Sequence, residues 1–275
     1  MMTPVGGAVL LIGAGRMGGA LIKGWIAANS FSAIHVVEPL PSQELKAAAA
    51  KGAIHLHGGF AADELPSLSS IVLAVKPQVL KGETALLRAI GKTGALVVSI
   101  AAGITTERLA AELGPDTRLV RAMPNTPGAI GRGITALYGA GTLNAADRAL
   151  AEALMASLGE TLWLQEEALM DAVTAVSGSG PAYVFLLAEA LTEAGRAEGL
   201  DAATAERLAR ATISGSGALL AAEVRPAADL RKDVTSPGGT TEAALALLMA
   251  PDGLTALMRR AVAAATARGK TLGKG

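Results

Sequence analysis

LLIGAGRMGGAL, residues 10–21, carries the reading that organises the whole chain. A short, continuous apolar run (AVLLI, 8–12) leads into Gly13, Gly15 and Gly18, spaced G-x-G-x-x-G, and a helical stretch follows. Strand, glycines and helix in that order form the context in which the spacing has chemical meaning. Gly13 permits a tight turn, Gly15 lets the backbone approach a pyrophosphate, and Gly18 lets helix and strand pack closely. The opening of the helix then offers unpaired N–H groups and a partial positive charge to the phosphates. In a chain with 33 glycines the spacing alone would be weak. With strand and helix in place, dinucleotide binding outweighs a purely structural glycine turn.

Outward from this loop, short apolar runs alternate with helical spans. The runs are AIHVVE (33–38), AIHLH (53–57), SIVLAV (70–75), ALVVSI (95–100), RLVRAM (118–123) and ITALY (134–138). Most are β-branched and unbroken, as suits parallel strands covered on both faces. Helical spans near 16–29, 41–51, 77–90 and 104–113 separate them, so a doubly wound parallel sheet of the Rossmann type is expected. From about residue 165 the strand signal stops. Ala, Leu, Glu and Arg at helical spacing fill 166–176, 181–198, 201–224, 237–249 and 253–268. The expected division is an α/β dinucleotide-binding domain over 1–164 and an all-helical domain over 165–275. Helices this apolar are hard to hide in one small globule, so they are expected to wrap a second copy of the chain, giving a homo-oligomer; the plainer alternative is a monomeric bundle.

Composition narrows the function. Hydrophobic residues make up 51% of the 275 and charged residues 17%, which excludes disorder. The 24 basic and 24 acidic residues cancel, no basic run exists and aromatics are 3%, so nucleic acid is not an expected partner. The absence of cysteine removes disulfides, thiol nucleophiles and Cys-based zinc sites, and it suits a reducing compartment. No apolar run reaches spanning length and the N-terminus has no basic leader, so a soluble cytoplasmic protein without membrane contact is expected.

Several residues at the ends of the predicted strands are candidate cofactor contacts. Glu38 closes the second strand 20 residues after Gly18. There a carboxylate can accept from adenosine ribose hydroxyls and would repel a 2′-phosphate, which favours NADH over NADPH; the other reading is a solvated strand-end carboxylate. Lys76 follows a buried strand, in place to meet a cofactor phosphate or ribose or simply to sit in solvent, and Pro77 would open the next helix. SIAAG (99–103), which includes Ala102, and MPNTPG (123–128) are small-residue loops that admit a flat nicotinamide ring, and Asn125 can bond its amide; each also reads as plain turn chemistry.

The helical half holds two unusual stretches. In DVTSPGGTTEAALALL (233–248), Ser236 reads as an N-cap and Pro237 as the first helical residue. Gly238 and Gly239 would then cost about 1 kcal/mol each in the helix while leaving amides uncovered for a small anion such as a carboxylate. Thr240 and Thr241 add hydroxyls beside them; a loosely built cap fits equally well. In TAVSGSGPAYVFLLAEAL (174–191) a break at Ser177–Gly180 either borders a pocket or serves as a hinge.

Taken together, IGAGRMGGAL, VLAVKPQ, VSIAAGI, RAMPNTPGAIGRGITAL, AVSGSGPAYVFLLAEAL and VTSPGGTTEAAL resemble the pyrroline-5-carboxylate reductase family, from residue 11 to about 245 and in the family's order. VTSPGGTT is the most specific of these. The resemblance implies an N-terminal Rossmann domain and a C-terminal helical domain that dimerises by interleaving, often with dimers joined into a ring. It implies that Ile12, Gly13, Ala14, Gly15, Arg16 and Met17, and Ala74, Val75, Lys76 and Pro77, contact the dinucleotide. It also implies that Ser236, Gly239, Thr240 and Thr241 receive the substrate carboxylate, with the Thr241 hydroxyl near the imine nitrogen, in a pocket facing the partner's cofactor domain. Two positions depart from the pattern: Asp233, where many relatives carry asparagine, is expected to face outward, and Glu38 stands where many relatives have small or polar residues and take NADPH.

The expected chemistry is hydride transfer from NADPH or NADH to the imine carbon of 1-pyrroline-5-carboxylate, giving L-proline without a metal. A protonated imine is already electrophilic, so the protein's task is positioning. A threonine hydroxyl is too weak an acid to be the proton source, so Thr241 donates or relays a hydrogen bond and water supplies the proton. His35, His55 and His57 are expected to serve the sheet rather than catalysis. A hydroxyisobutyrate-type dehydrogenase would need a lysine and an asparagine in the second domain, yet the chain has no lysine between residues 160 and 231 and no asparagine after residue 144. A non-catalytic dinucleotide sensor is the remaining alternative, disfavoured by the intact VTSPGGTT.

Overall fold

The structure, a computed structural model, describes residues 6–61, 66–80 and 82–274. It divides into two compact units, residues 1–178 with 266–275, and residues 179–265.

The first unit is built as β1 (Gly6–Ile12), α1 (Arg16–Ala28), β2 (Phe31–Val37), α2 (Gln43–Ala50), β3 (His55–His57), β4 (Leu68–Leu73), α3 (Pro77–Leu80), α4 (Thr84–Gly91), β5 (Leu96–Ser99), α5 (Thr106–Leu113) and β6 (Leu119–Met123), followed by β7 (Gly133–Ala140), α6 (Ala145–Met155) and β8 (Gly159–Trp163). The strands form one eight-stranded sheet in the order β3-β2-β1-β4-β5-β6-β7-β8. The first six in sequence are mutually parallel, as the unbroken apolar runs imply. Alternate residues feed opposite faces. Val9, Leu11, Val72 and Val98 join one buried cluster with Trp25, while Leu10, Ile12, Leu73 and Val97 join another with Leu87 and Leu109. The Trp25 indole N–H donates to the Leu154 carbonyl at 2.8 Å, which keeps the largest core side chain free of an unpaired donor.

Four features of the sheet region differ from the sequence reading. β7 is antiparallel to β6. Only residues 124–132 join the two strands, with a 3-10 turn over Thr126–Ile130, and that is too short for the crossover a parallel partner needs. β8, parallel to β7, went unpredicted because GETLW alternates half-buried and exposed residues at the sheet edge and has no apolar run. α6 was also missed, although Asn144 and Asp147 form a reciprocal capping box that marks its start. The span expected as one helix over 77–90 is two helices, α3 and α4; Lys81, between them, lies outside the described residues.

Residue 164, where the sequence reading divides the chain, lies just after β8, and the next segment still packs with the first unit. That segment is a 3-10 turn (Glu167–Leu169), α7 (Met170–Val173) and a π-helical turn (Thr174–Gly178) rather than a continuous helix over 166–176. Beyond it come α8 (Gly180–Ala197), α9 (Ala202–Ala222), α10 (Ala227–Asp233), α11 (Thr240–Leu248) and α12 (Leu254–Lys274). Asp201 caps α9 by accepting from the Thr204 amide at 3.0 Å. In the second unit the only buried apolar residues are Ala205 and Ala209. Phe185 and Leu186 of α8 are each 63% exposed, and Leu247 of α11 is 78% exposed. Among the described residues no helix is long and apolar enough to cross a membrane.

Candidate functional site

Because β1, β4, β5 and β6 are parallel, their C-terminal ends bring Gly13, Ala74, the loop 100–103 and Asn125 to one edge of the sheet. The strand order reverses between β1 and β4, the position where open α/β sheets leave a crevice for ligand. A cleft of about 610 Å³ opens there, lined by Ile12, Gly13, Glu38, Phe60, Val75 and Glu83 among others.

The three fingerprint glycines meet different constraints. Gly13 has φ +92°, and a Cβ there would lie 2.5 Å from Val75 Cγ1 and 3.0 Å from the Ala74 carbonyl. A Cβ on Gly18 would strike the Gly13 carbonyl oxygen. A Cβ on Gly15 would meet nothing within 4 Å, so the space beside it is open. Gly15 is also the N-cap of α1 and supplies no side-chain cap, while the Gly19 amide makes the first intrahelical bond to the Gly15 carbonyl at 2.8 Å. The amides of Arg16, Met17 and Gly18 therefore have no intrahelical acceptor. Open space bordered by such amides fits a dinucleotide pyrophosphate.

Around this loop, the Ala74 amide donates to the Ile12 carbonyl at 2.8 Å, tying the two cofactor-loop candidates together. Lys76 is exposed directly beyond them, and Pro77 opens α3 as its sequence position suggests. Ala102 is exposed in the turn after β5. Asn125 is half-buried; its Oδ1 accepts from the Ile134 amide at 3.0 Å, which leaves the side-chain NH₂ to donate to a ligand. Glu38 stands at the end of β2 with its carboxylate fixed at both oxygens: Oε2 accepts from the Ala14 amide at 2.8 Å and Oε1 from the Leu40 amide at 3.1 Å.

The second candidate stretch departs from its sequence reading. Ser236 is not an N-cap, and Pro237 does not begin a helix. Ser236 to Gly239 form a turn in which the Gly239 amide donates to the Ser236 carbonyl at 3.0 Å and Gly238 takes φ +71°. Proline followed by a glycine at positive φ is the signature of a type II turn, and that turn chemistry prevails over the Ser-Pro capping signal. The helix α11 begins at Thr240, with Gly239 as an N-cap that has no side chain to offer. Neither glycine amide is uncovered: Gly239 is engaged in the turn, and the Gly238 amide donates to Glu242 Oε2 at 2.7 Å. The first intrahelical bond runs from the Ala243 amide to the Gly239 carbonyl, so the amides without an intrahelical acceptor are those of Thr240, Thr241 and Glu242. Thr241 is half-buried, whereas Ser236 and Thr240 are exposed. Asp233 accepts from Arg225 Nη1 at 2.9 Å, so its charge is balanced at the surface.

Among proteins of known function, one described as a pyrroline-5-carboxylate reductase, from Pseudomonas aeruginosa, is 42% identical over 272 residues, covering 96% of each chain. The chain belongs to the pyrroline-5-carboxylate reductase family. A family model described as pyrroline-5-carboxylate reductase dimerisation matches residues 167–272, and one described as NADP oxidoreductase, coenzyme F420-dependent, matches residues 8–103. The solved pyrroline-5-carboxylate reductase of Coxiella burnetii superposes with a TM-score of 0.89 at 36% identity, covering 97% of this chain and 98% of that one. That of Plasmodium falciparum, solved with NADP bound, superposes at 0.77 with 28% identity and covers 97% and 98%. The residues matched by the dimerisation model include the exposed apolar helices of the second unit.

Near the reductase's candidate cofactor edge, one group lies in the break the sequence marked at Ser177–Gly180 and another, Arg121, was not singled out in the sequence. The Ser177 hydroxyl lies in the π-helical turn, buried and without a hydrogen-bond partner, where a π turn often accompanies a functional site. The neighbouring Gly178 packs near Met123 at the end of β6. Arg121 of β6 is buried and pairs with Glu167 at 2.9 Å; Glu167 also accepts from the amide (2.8 Å) and hydroxyl (2.5 Å) of Thr106. This network ties the segment after β8 to the sheet, and only the three-dimensional fold brings its members together. The three histidines cluster on β2 and β3, with His35 Nδ1 3.1 Å from His57 Nε2 and its ring stacked on His55. Burial, and then the neighbouring His55 and His57, hold His35 below the usual histidine range, so it stays neutral within the sheet.

Proposed function

We propose that this chain reduces 1-pyrroline-5-carboxylate to L-proline with NADPH or NADH, residues 1–164 holding the dinucleotide and residues 165–275 forming the dimer and holding the substrate. The observation that carries the substrate side is the opening of α11: three successive amides without intrahelical acceptors, beside the half-buried Thr241 and after a turn of Ser236, Pro237, Gly238 and Gly239.

The dinucleotide, when bound, supplies a hydride from C4 of its nicotinamide to the imine carbon. The protein's part is placement. The amides of Arg16, Met17 and Gly18 hold the pyrophosphate in the space beside Gly15, with Ile12, Ala14 and the segment Ala74, Val75, Lys76 and Pro77 around it. Ala102 and the Asn125 side chain border the nicotinamide. The amides of Thr240 and Thr241 receive the substrate carboxylate at a helix N-terminus, where the dipole favours negative charge. Gly239 and Ser236 shape the approach, since a turn with no side chain at Gly239 lets a small ring come close. The Thr241 hydroxyl bonds the ring nitrogen, and water delivers the proton.

Dimers of the chain joined into a ring, located in the cytoplasm, complete this reading; the cysteine-free composition suits a reducing compartment. The test is oxidation of NADH and NADPH in the presence of pyrroline-5-carboxylate, for wild type and Thr241→Ala. Wild type turns over, and the variant loses about tenfold or more in kcat/KM, the size of one hydrogen bond to the reacting group. Equal activity in the two removes Thr241 from the mechanism, and no turnover with either cofactor contradicts the assignment.

A further inference from the structure

We propose that Glu38 sets the cofactor choice of this reductase, reading the hydroxyls of the adenosine ribose and making NADH a tighter ligand than NADPH. The inference rests on the dinucleotide reading of the glycine loop and goes beyond it by naming which of the two cofactors fits.

Three observations carry it. First, Glu38 is held in place: its two oxygens accept from the amides of Ala14, inside the glycine loop, and Leu40, just after β2. A carboxylate pinned at both ends cannot swing away from an incoming phosphate, and each oxygen retains a lone pair for a ribose hydroxyl. Second, among the described residues the cleft of about 610 Å³ beside it is lined by a second carboxylate, Glu83, and by no lysine or arginine. The 2′-phosphate of NADPH adds negative charge next to Glu38, and in a partly enclosed cleft like charges a few ångströms apart repel far more than in water. Third, the loop that leaves β2, EPLPSQEL (38–45), has no cation to receive a phosphate. The nearby Lys23 is engaged at 2.8 Å by Glu44, and the Ser42 hydroxyl accepts from the Leu45 amide to cap α2.

The competing feature is Arg16, exposed in a neighbouring groove with Ala14, Gly15 and Ser42. An arginine near the end of β2 is the residue type that accommodates a 2′-phosphate in other dinucleotide folds. The two readings therefore differ in one number, the ratio of the dissociation constants for NADH and NADPH.

That ratio is measured on the full-length protein without substrate, by titrating each reduced cofactor and following its fluorescence, for wild type and Glu38→Gln. Glutamine removes the charge and keeps one acceptor oxygen for one of the two amides, its NH₂ standing where the other oxygen was. For wild type the expected Kd for NADPH is about tenfold or more above that for NADH, the size of a single unfavourable charge contact. In Glu38→Gln the ratio falls to within about threefold, chiefly because NADPH tightens, while the melting temperature of the free protein shows that the loop survives. Raising the salt concentration narrows the wild-type ratio, as screening of a charge contact requires, and leaves that of Glu38→Gln unchanged. Equal or tighter binding of NADPH by wild type overturns the proposal even if the variant does not fold, and it transfers the role to Arg16. A wild-type preference for NADH that survives in Glu38→Gln overturns it as well. If neither cofactor binds, the dinucleotide reading itself falls, an outcome separate from a wrong choice between two bound cofactors.

Discussion

The two units of this chain solve the problem of burying apolar surface in opposite ways. In the first, an eight-stranded sheet is covered on both faces, its large core side chains such as Leu10, Leu11 and Trp25 are inaccessible, and its buried Arg121 is paired. In the second, α8 and α9 pack together but close over little more than Ala205 and Ala209, while Phe185, Leu186 and Leu187 stay open. Hydrophobic content does not separate the two units; topology does. A sheet flanked by helices is complete within one chain, whereas a small set of apolar helices leaves stripes that only another chain can cover. The candidate dinucleotide edge is thus assembled within one unit, whereas the segment proposed to hold the substrate sits in the unit whose residues match the dimerisation model.

The largest expected effect tests that dependence. Replacing Phe185 and Leu186 together by glutamate removes four apolar side chains from a two-fold interface, two per protomer, each contributing roughly 1.5 kcal/mol or more when buried. Dimer dissociation should strengthen on the order of a thousandfold or more, read by sedimentation as conversion to monomer, with cofactor binding by the first unit retained. A variant that stays dimeric at the wild-type concentration dependence would show that this face of α8 lies outside the interface. The next effect tests the self-sufficiency of the first unit. Arg121→Met leaves the half-buried Glu167 without its ion-pair partner, at a cost of about 2–3 kcal/mol in denaturant unfolding. Unfolding unchanged within about 0.5 kcal/mol would mean that the Thr106 amide and hydroxyl alone satisfy Glu167. Below these in size stand the effects at Thr241 and Glu38, which leave both units folded and change only what each one binds.

How much could be read in advance follows the same division. The parallel strands were legible because two-sided burial writes an unbroken apolar run, and the glycine loop because Gly13 and Gly18 are each hemmed in by backbone. β8 was illegible because an edge strand carries no such run, and the reversed direction of β7 depends on connection length rather than on composition. At α11 two local signals competed, Ser-Pro for a helix start and Pro-Gly for a turn, and the positive φ of Gly238 shows the turn prevailing. The amides without an intrahelical acceptor belong to Thr240, Thr241 and Glu242, immediately past the glycines the sequence reading pointed to. The clamp on Glu38 was beyond reach, since it depends on an amide 24 residues away. The sequence marked the break at Ser177–Gly180, but not that the Ser177 hydroxyl is buried there without a partner.

The account turns on the helix that starts at Thr240 presenting its amides to a small carboxylate while the ring is held against the nicotinamide. A crystal structure of the dimer with proline and oxidised cofactor tests this most directly. The predicted result places the proline carboxylate within hydrogen-bond distance of the Thr240 and Thr241 amides, its nitrogen at the Thr241 hydroxyl and its ring stacked on the pyridine. Proline bound elsewhere, with the 236–241 stretch open to bulk solvent and remote from the pyridine, would contradict the account.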